Sequence, residues 1–143
     1  MIETVALILF KPSIRKILLQ HRSDDAPTFP DHYSPFGGAI EFDESPEDAI
    51  LREAFEELTL DIFDLKKCGL KFIDYYDNVS NTILKKRTHL FVGETEMNEP
   101  ELLRRLREGK GLAYFSFWEA TRVKVAREDR ALLHLAKMHF RIQ

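Results

Sequence analysis

The segment from Ser45 to Leu58, SPEDAILREAFEEL, constrains the fold most, because it carries both the start signal and the period of an amphipathic helix. Ser45 is a favoured N-cap residue, Pro46 suits the first helical position, and Asp48 stands where the acid of a capping box would. These signals predict a helix from about Pro46 to Leu58. At about 100° per residue, the apolar residues of this helix share one face, which is expected to pack on the core. They are Ile50, Leu51, Ala54, Phe55 and Leu58.

A second face of the same helix is acidic. Glu53, Glu56 and Glu57 lie at spacings of three and four residues, where like charges repel each other. Solvated surface is the ordinary explanation for such a cluster. However, the pair Gly37-Gly38 precedes the helix, and a glycine pair lets the backbone approach a ligand closely. Carboxylates combined with a backbone carbonyl favour Mg²⁺ or Mn²⁺ over zinc.

Runs rich in β-branched and aromatic residues surround this helix. TVALILF and KILLQHR precede it, and LKKCGLKFIDYYDN, KKRTHLFVGETE and LAYFSFWEA follow it. The turn-like stretches KPSIR and NVSN predict two hairpins, and AREDRALLHLAKMHF has the period of a C-terminal helix. This order predicts an α/β fold with a mixed sheet covered by helices. A length of 143 residues predicts a single domain over residues 1–143.

Composition narrows the classes of partner. The net charge is −3 and the basic residues are scattered, so an extended nucleic acid is not expected as a partner. The apolar run near the N-terminus is too short to span a bilayer and has no basic leader before it. The lone cysteine, Cys68, fits a reducing compartment. We therefore expect a cytoplasmic protein without a membrane partner.

The segment from Gly37 to Leu60, GGAIEFDESPEDAILREAFEELTL, resembles the Nudix box, the signature of the Nudix hydrolases. That signature is a glycine, five residues, a glutamate, seven residues, Arg-Glu, an aliphatic, any residue, Glu-Glu, any residue, a glycine and an aliphatic. The identical positions are Gly38, Glu44, Arg52, Glu53, Glu56 and Glu57, with Ala54 and Leu60 at the aliphatic ones. From average residue usage, six such identities arise by chance about once in ten million starting positions.

The chain departs from this signature at the end of the helix. Thr59 stands where the box has its last glycine, and a β-branched residue is strained in a left-handed C-cap. We therefore expect a different turn at the helix exit, and Thr59→Gly is expected to leave activity within a few-fold. Asp43 stands before Glu44, where many members of the family have a glycine, and Phe36 stands before the glycine pair, where many have a proline. Neither is a metal-binding position.

The resemblance implies an α/β/α sandwich and a hydrolase that cleaves a pyrophosphate bond by attack of water at phosphorus. The implied substrate is a nucleoside diphosphate linked to another group: a nucleoside triphosphate, a nucleotide sugar, ADP-ribose or a dinucleoside polyphosphate. The implied cofactor is Mg²⁺ or Mn²⁺, and the implied partner is a small-molecule nucleotide. Many members of the family are dimers, so a homodimer is one candidate oligomeric state.

The resemblance also implies roles for individual residues. Metal ligands and catalytic groups are expected among Glu53, Glu56 and Glu57, with the Gly38 carbonyl as a further ligand and one glutamate of the adjacent pair as general base. Glu44 and Arg52 are expected to support these groups, and Glu108 is a candidate additional base or ligand. Candidate substrate contacts are Tyr33, Phe36 and Arg22.

A second interpretation is a Nudix-fold binding module or regulator that recognises a nucleotide without cleaving it. Such modules usually lack one or more glutamates of the box, whereas this chain has all of them. The complete set favours an enzyme.

Overall fold

The computed structural model describes residues 1–60, 64–77 and 79–140. In chain order, the elements are β1 (Ile2–Lys11), β2 (Lys16–His21), β3 (Tyr33–Ser34), β4 (Phe36–Ala39), α1 (Pro46–Leu58), β5 (Lys66–Asp77), β6 (Thr82–Glu94), α2 (Glu99–Arg105), β7 (Gly111–Phe115), α3 (Phe117–Ala120) and α4 (Arg127–Phe140). Among these residues, no helix is both long enough and apolar enough to cross a bilayer.

The strands form one mixed seven-stranded sheet around β1. The order β3-β2-β1-β6-β5 forms its main path, while β4 pairs with β1 and β7 pairs with β2. β1 is antiparallel to β2 and β4 but parallel to β6, and β5 is antiparallel to β6. Both hairpins predicted from the sequence are therefore confirmed.

The residues of β1 supply the cores on both faces of the sheet, because successive side chains of a strand point to opposite sides. Val5, Leu7 and Leu9 pack with α1 and α2, whereas Ala6, Ile8 and Phe10 pack with α3 and α4. All six are buried. Helices thus cover both faces of a mixed sheet, which confirms the predicted α/β/α sandwich.

α1 spans the predicted residues, but its buried stripe is rotated from the predicted apolar face. Leu51 and Phe55 are 46% and 54% exposed, while Glu53 and Glu57 are only 9% and 1% exposed. Residues 50, 53, 54, 57 and 58 follow the i, i+3, i+4 spacing that faces a single partner surface. The prediction of Leu51 and Phe55 as core residues was therefore wrong, because two carboxylates take the places on the stripe that apolar side chains were expected to fill.

The exit of α1 also differs from the prediction. Thr59 is in the left-handed region, with φ 55° and ψ 36°, and its amide donates to the Phe55 carbonyl at 2.9 Å. Leu60 closes the turn by donating to the Ala54 carbonyl at 3.4 Å. This is the C-cap that the family glycine would make, so the expectation of a different turn was wrong. A non-glycine residue pays about 1–2 kcal/mol for this conformation.

Two short strands, β3 and β4, lie in and just beyond the stretch from residue 23 to residue 38, although its Asp, Pro, Ser and Gly content is typical of a loop. β3 pairs with the end of β2, and β4 runs beside β1 from Phe36 to Ala39. Such strands are too short to show a period in the sequence. Their pairing fixes the glycine pair at the middle of the sheet.

Candidate active site

The glycine pair of β4 lies under α1, and close approach explains its composition. A Cβ at Gly38 would stand 2.5 Å from the Glu53 Oε1 atom, and one at Gly37 would stand 2.0 Å from the Val5 carbonyl oxygen. Gly37 also has φ 143°, which L side chains rarely adopt. Any side chain at these positions would therefore displace either β1 or the Glu53 carboxylate.

Glu57 occupies the most enclosed position of the acidic cluster. Its carboxylate accepts weak hydrogen bonds of 3.3 and 3.4 Å from the Gly37 amide. Burial, followed by the negative charge of Glu108 and the interaction with Glu53, holds the pKa of Glu57 well above its usual range. A site that gathers carboxylates in this way favours a cation.

Arg52 is the positive group next to these acids. Its guanidinium donates to Glu44 at 2.7 and 2.9 Å, to Glu53 at 2.9 Å and to Glu56 at 3.1 Å. A further bond of 3.0 Å reaches the Ala39 carbonyl. The Arg52 pair, with help from the Glu41 amide, lowers the pKa of Glu44 to about 2. Through Glu44, Arg52 therefore fixes the loop before α1 to the helix, and it also orients the carboxylates of Glu53 and Glu56.

The chemistry of the donors fits a hard divalent cation, since they are all oxygens of carboxylates or backbone. Within the described ranges, no three acidic, histidine or cysteine side chains already stand together as metal ligands. Arg52 bonds to two of the three predicted carboxylate ligands, Glu53 and Glu56. The guanidinium thus supplies the positive charge that neutralises these acids.

Glu108 reaches the same place from a distant part of the chain. The Arg107 amide donates to the Glu57 carbonyl at 2.8 Å, so the segment after α2 lies against the end of α1. Glu108 is exposed, and its charge acts on the Glu57 carboxylate. The structure therefore brings Glu108 to the cluster formed by the box glutamates.

The three predicted substrate contacts separate in the structure. Arg22 and the buried Phe36 both line a cavity whose wall includes Gly37 and Gly38. Tyr33 instead stacks on His21, with ring centroids 4.2 Å apart, and meets the edge of Phe115. Tyr33 is thus part of the packing on the α4 side and is not among the residues lining this cavity.

Two further residues of this cavity were not predicted. The Ser34 hydroxyl is buried and has no hydrogen-bond partner within the part of the chain that the structure describes. Asp129 lies in the first turn of α4, and both residues line the cavity. In the sequence, Asp129 is one of two acids at a helix start, where acids are favoured anyway, so no signal distinguished it.

Asp129→Asn is expected to stabilise the protein at neutral pH. Burial, and then the neighbouring Glu128, raises the pKa of Asp129 to about 6, which outweighs the nearby Lys86. Because the folded pKa lies above the unfolded one, the aspartate costs stability as pH rises from about 4 through 6, and the cost is constant above that. We expect a gain of about 2 kcal/mol at pH 7.5 and almost none at pH 4, measured by urea unfolding. An equal gain at both pH values would contradict this.

The family profile described as NUDIX domain matches residues 2–136. A dihydroneopterin triphosphate diphosphatase from Haemophilus influenzae is 33% identical over 60 residues, which are 42% of this chain and 35% of that protein. The chain is thus matched over about a third of the length of this curated relative.

Solved structures show the same fold. The E. coli dihydroneopterin triphosphate pyrophosphohydrolase has a TM-score of 0.76 at 16% identity, covering 96% of this chain and 95% of that one. The NUDIX domain of Shewanella oneidensis NrtR, in complex with ADP ribose, has a TM-score of 0.74 at 17% identity, covering 96% and 87%. The family match covers nearly the whole chain and includes the glycine pair and α1, so the chain belongs to the Nudix family.

Proposed function

We propose that this protein is a Mg²⁺- or Mn²⁺-dependent hydrolase of a pyrophosphate bond in a nucleoside diphosphate linked to another group. The observation that carries the proposal is the position of Glu53 and Glu57. They lie on the buried stripe of α1, against the Gly37-Gly38 backbone that forms one wall of a cavity. Burying two acids in a core is costly unless a cation or a proton offsets their charge.

The ligands of the metal would be Glu53, Glu56, Glu57 and the Gly38 carbonyl. A divalent ion held there would neutralise phosphate charge and activate the attacking water. Arg52 orients Glu53 and Glu56 through the hydrogen bonds described above. One glutamate of the Glu56-Glu57 pair would accept the proton of the attacking water.

The cavity beside the glycine pair is the proposed site for the part of the substrate beyond the scissile phosphates. Arg22 offers a cationic group, although its guanidinium also donates to Thr28 at 3.0 and 3.2 Å. The unpartnered Ser34 hydroxyl offers a donor, and the Asp129 carboxylate offers an acceptor, for the edge of a polar ring. Base or pterin rings carry edges of this kind.

A substrate screen tests the proposal. It would include a nucleoside triphosphate, a nucleotide sugar, ADP-ribose, a dinucleoside polyphosphate and dihydroneopterin triphosphate, the last because of the name of the diphosphatase relative. Products would be identified by phosphorus NMR in ¹⁸O-labelled water. Hydrolysis with the label on a product phosphate is expected. Tight binding without cleavage would favour the alternative, a nucleotide-binding module.

Excess chelator is expected to abolish turnover on any accepted substrate, because the glutamates alone add negative charge beside negative phosphates. Mg²⁺ or Mn²⁺ added back should restore the rate, whereas Ca²⁺, with its larger and looser coordination, should restore less. The measurement is the initial rate against free metal concentration. Full turnover in chelator would overturn the metal requirement.

The cytoplasmic location and the homodimer stay predictions from the sequence and the family resemblance.

A further inference from the structure

We propose that Thr59 is a positioning residue, which fastens the segment carrying Glu108 to the end of α1 and holds that carboxylate beside Glu57. The inference rests on the proposed function, and it concerns the position where the chain departs from the Nudix signature. It also reverses the expectation from the sequence that glycine at position 59 would be tolerated.

The backbone gives no reason for a threonine at this position. Thr59 is left-handed, and its amide donates to Phe55, a bond that glycine would make without strain. A β-branched residue in this conformation persists where its surroundings determine it, and such residues gather at functional sites. The reason must therefore lie in the contacts of the side chain.

Among the described residues, the Thr59 hydroxyl makes two of the three hydrogen bonds that connect this residue to the end of α2 and the segment that follows it. It donates to the Arg105 carbonyl at 3.1 Å and accepts from Arg107 Nε at 3.0 Å. In the third, the Arg105 guanidinium donates to the Thr59 carbonyl at 3.2 Å. Glycine would keep only this last bond. The hydroxyl therefore determines how firmly residues 105–107 are held.

Glu108 lies between two anchors. On one side, Arg107 is bound to Thr59 and, through its amide, to the Glu57 carbonyl. On the other side, the Lys110 amide donates to the His21 carbonyl at 2.9 Å, and Gly109, with φ 81°, passes so close that a Cβ would stand 2.7 Å from that oxygen. Glu108 itself is exposed, so the anchors and not its own packing fix its position.

A simpler role for Thr59 would be to stabilise the contact between α2 and α1, without any effect on Glu108. The two roles differ in how substitutions combine. If Thr59 acts through Glu108, then Thr59→Gly should have no further effect once Glu108 is already glutamine. If it acts on stability alone, the two effects should add.

The experiment measures turnover for Thr59→Gly, Thr59→Ser, Glu108→Gln and the Thr59→Gly/Glu108→Gln double variant. We expect Thr59→Gly and Glu108→Gln each to lower turnover at least tenfold, the double variant to match Glu108→Gln, and Thr59→Ser to restore the rate. Thr121→Gly is the matched control, because its hydroxyl donates to the Trp118 carbonyl at the end of α3, outside this cluster. Additive losses, or wild-type turnover in Thr59→Gly, would overturn the proposal.

Two measurements separate failure of this inference from failure of the proposed function, because neither needs a substrate. Amide hydrogen exchange over residues 105–110 should be faster in Thr59→Gly than in the wild type or Thr59→Ser. Mn²⁺ affinity, measured by electron paramagnetic resonance, should fall in Thr59→Gly and Glu108→Gln and fall no further in the double variant. If no nucleotide is cleaved but exchange and Mn²⁺ binding change as stated, the proposed function fails and the positioning role stands. Unchanged exchange in Thr59→Gly would reject the positioning role.

Discussion

Glu57→Gln should cut turnover by about a hundredfold or more while leaving the metal-free protein as stable as the wild type or more stable. The carboxylate is 1% exposed and lies near Glu53 and Glu108, and these conditions raise its pKa. Because the pKa of Glu57 is higher in the folded than in the unfolded protein, this side chain lowers the free energy of unfolding increasingly as pH rises above about 4.5. Replacement by glutamine should therefore stabilise the metal-free protein most at alkaline pH. Catalysis should respond in the opposite direction, because a metal ligand would be lost.

Melting temperature with chelator and with Mg²⁺, measured alongside turnover, checks this result. The stabilisation gained from Mg²⁺ should shrink in Glu57→Gln. Glu56→Gln should lose turnover as well, with less change in metal-free stability, because this side chain is 55% exposed and already paired with Arg52. Glu47→Gln, an exposed acid in the first turn of α1, is the control and should keep its rate. Near-normal rates and metal response in both box variants would reject the enzyme.

Arg52→Gln should destabilise the metal-free protein by about 2 kcal/mol or more, because it leaves the buried Glu53 beside other acids without its cation. Its pH dependence has a defined sign. Arg52 lowers the pKa of Glu44 to about 2, so that pair stabilises the fold above pH 4.5 and is lost as pH falls towards 2. The deficit of the variant should therefore shrink in acid. Added Mg²⁺ should also reduce the loss of stability in this variant, because the bound ion would supply the positive charge that the Arg52 guanidinium supplied.

Urea unfolding at pH 7 and pH 3 measures this deficit. Arg104→Gln is the matched control: Arg104 pairs with Glu101 on the surface of α2 and is 69% exposed, so its loss should cost less than about 0.5 kcal/mol. An Arg52→Gln variant as stable as Arg104→Gln would show that the carboxylates do not depend on the guanidinium.

The parts of this structure that the sequence predicted are those that depend on near neighbours in the chain. The start of α1 depends on Ser45, whose hydroxyl accepts from the Asp48 amide at 3.0 Å, three residues away. The two hairpins follow from period and turn residues, which are local as well. The glycine and glutamate spacing of the box lies within one segment, and it identified the family.

The parts that the sequence did not predict depend on residues far apart in the chain. The burial of Glu57 follows from its contacts with β4 and with the segment after α2, and no periodicity reports either. Asp129 lines the cavity only because α4 packs across the sheet from α1. The left-handed Thr59 is held by Arg105 and Arg107, 46 and 48 residues later, so tertiary contacts outweighed local preference.

The stripe of α1 that carries Glu53 and Glu57 also carries Ala54 and Leu58, both at most 1% exposed. The proposed metal ligands and the core residues thus share one face of α1. Protein interiors are packed too densely to accommodate even one added methylene without movement. A substitution such as Ala54→Val would shift the helix axis and, with it, the carboxylates against the glycine pair. In directed evolution of this protein, selection for heat resistance through the interior near α1 should therefore alter the reaction rate as well.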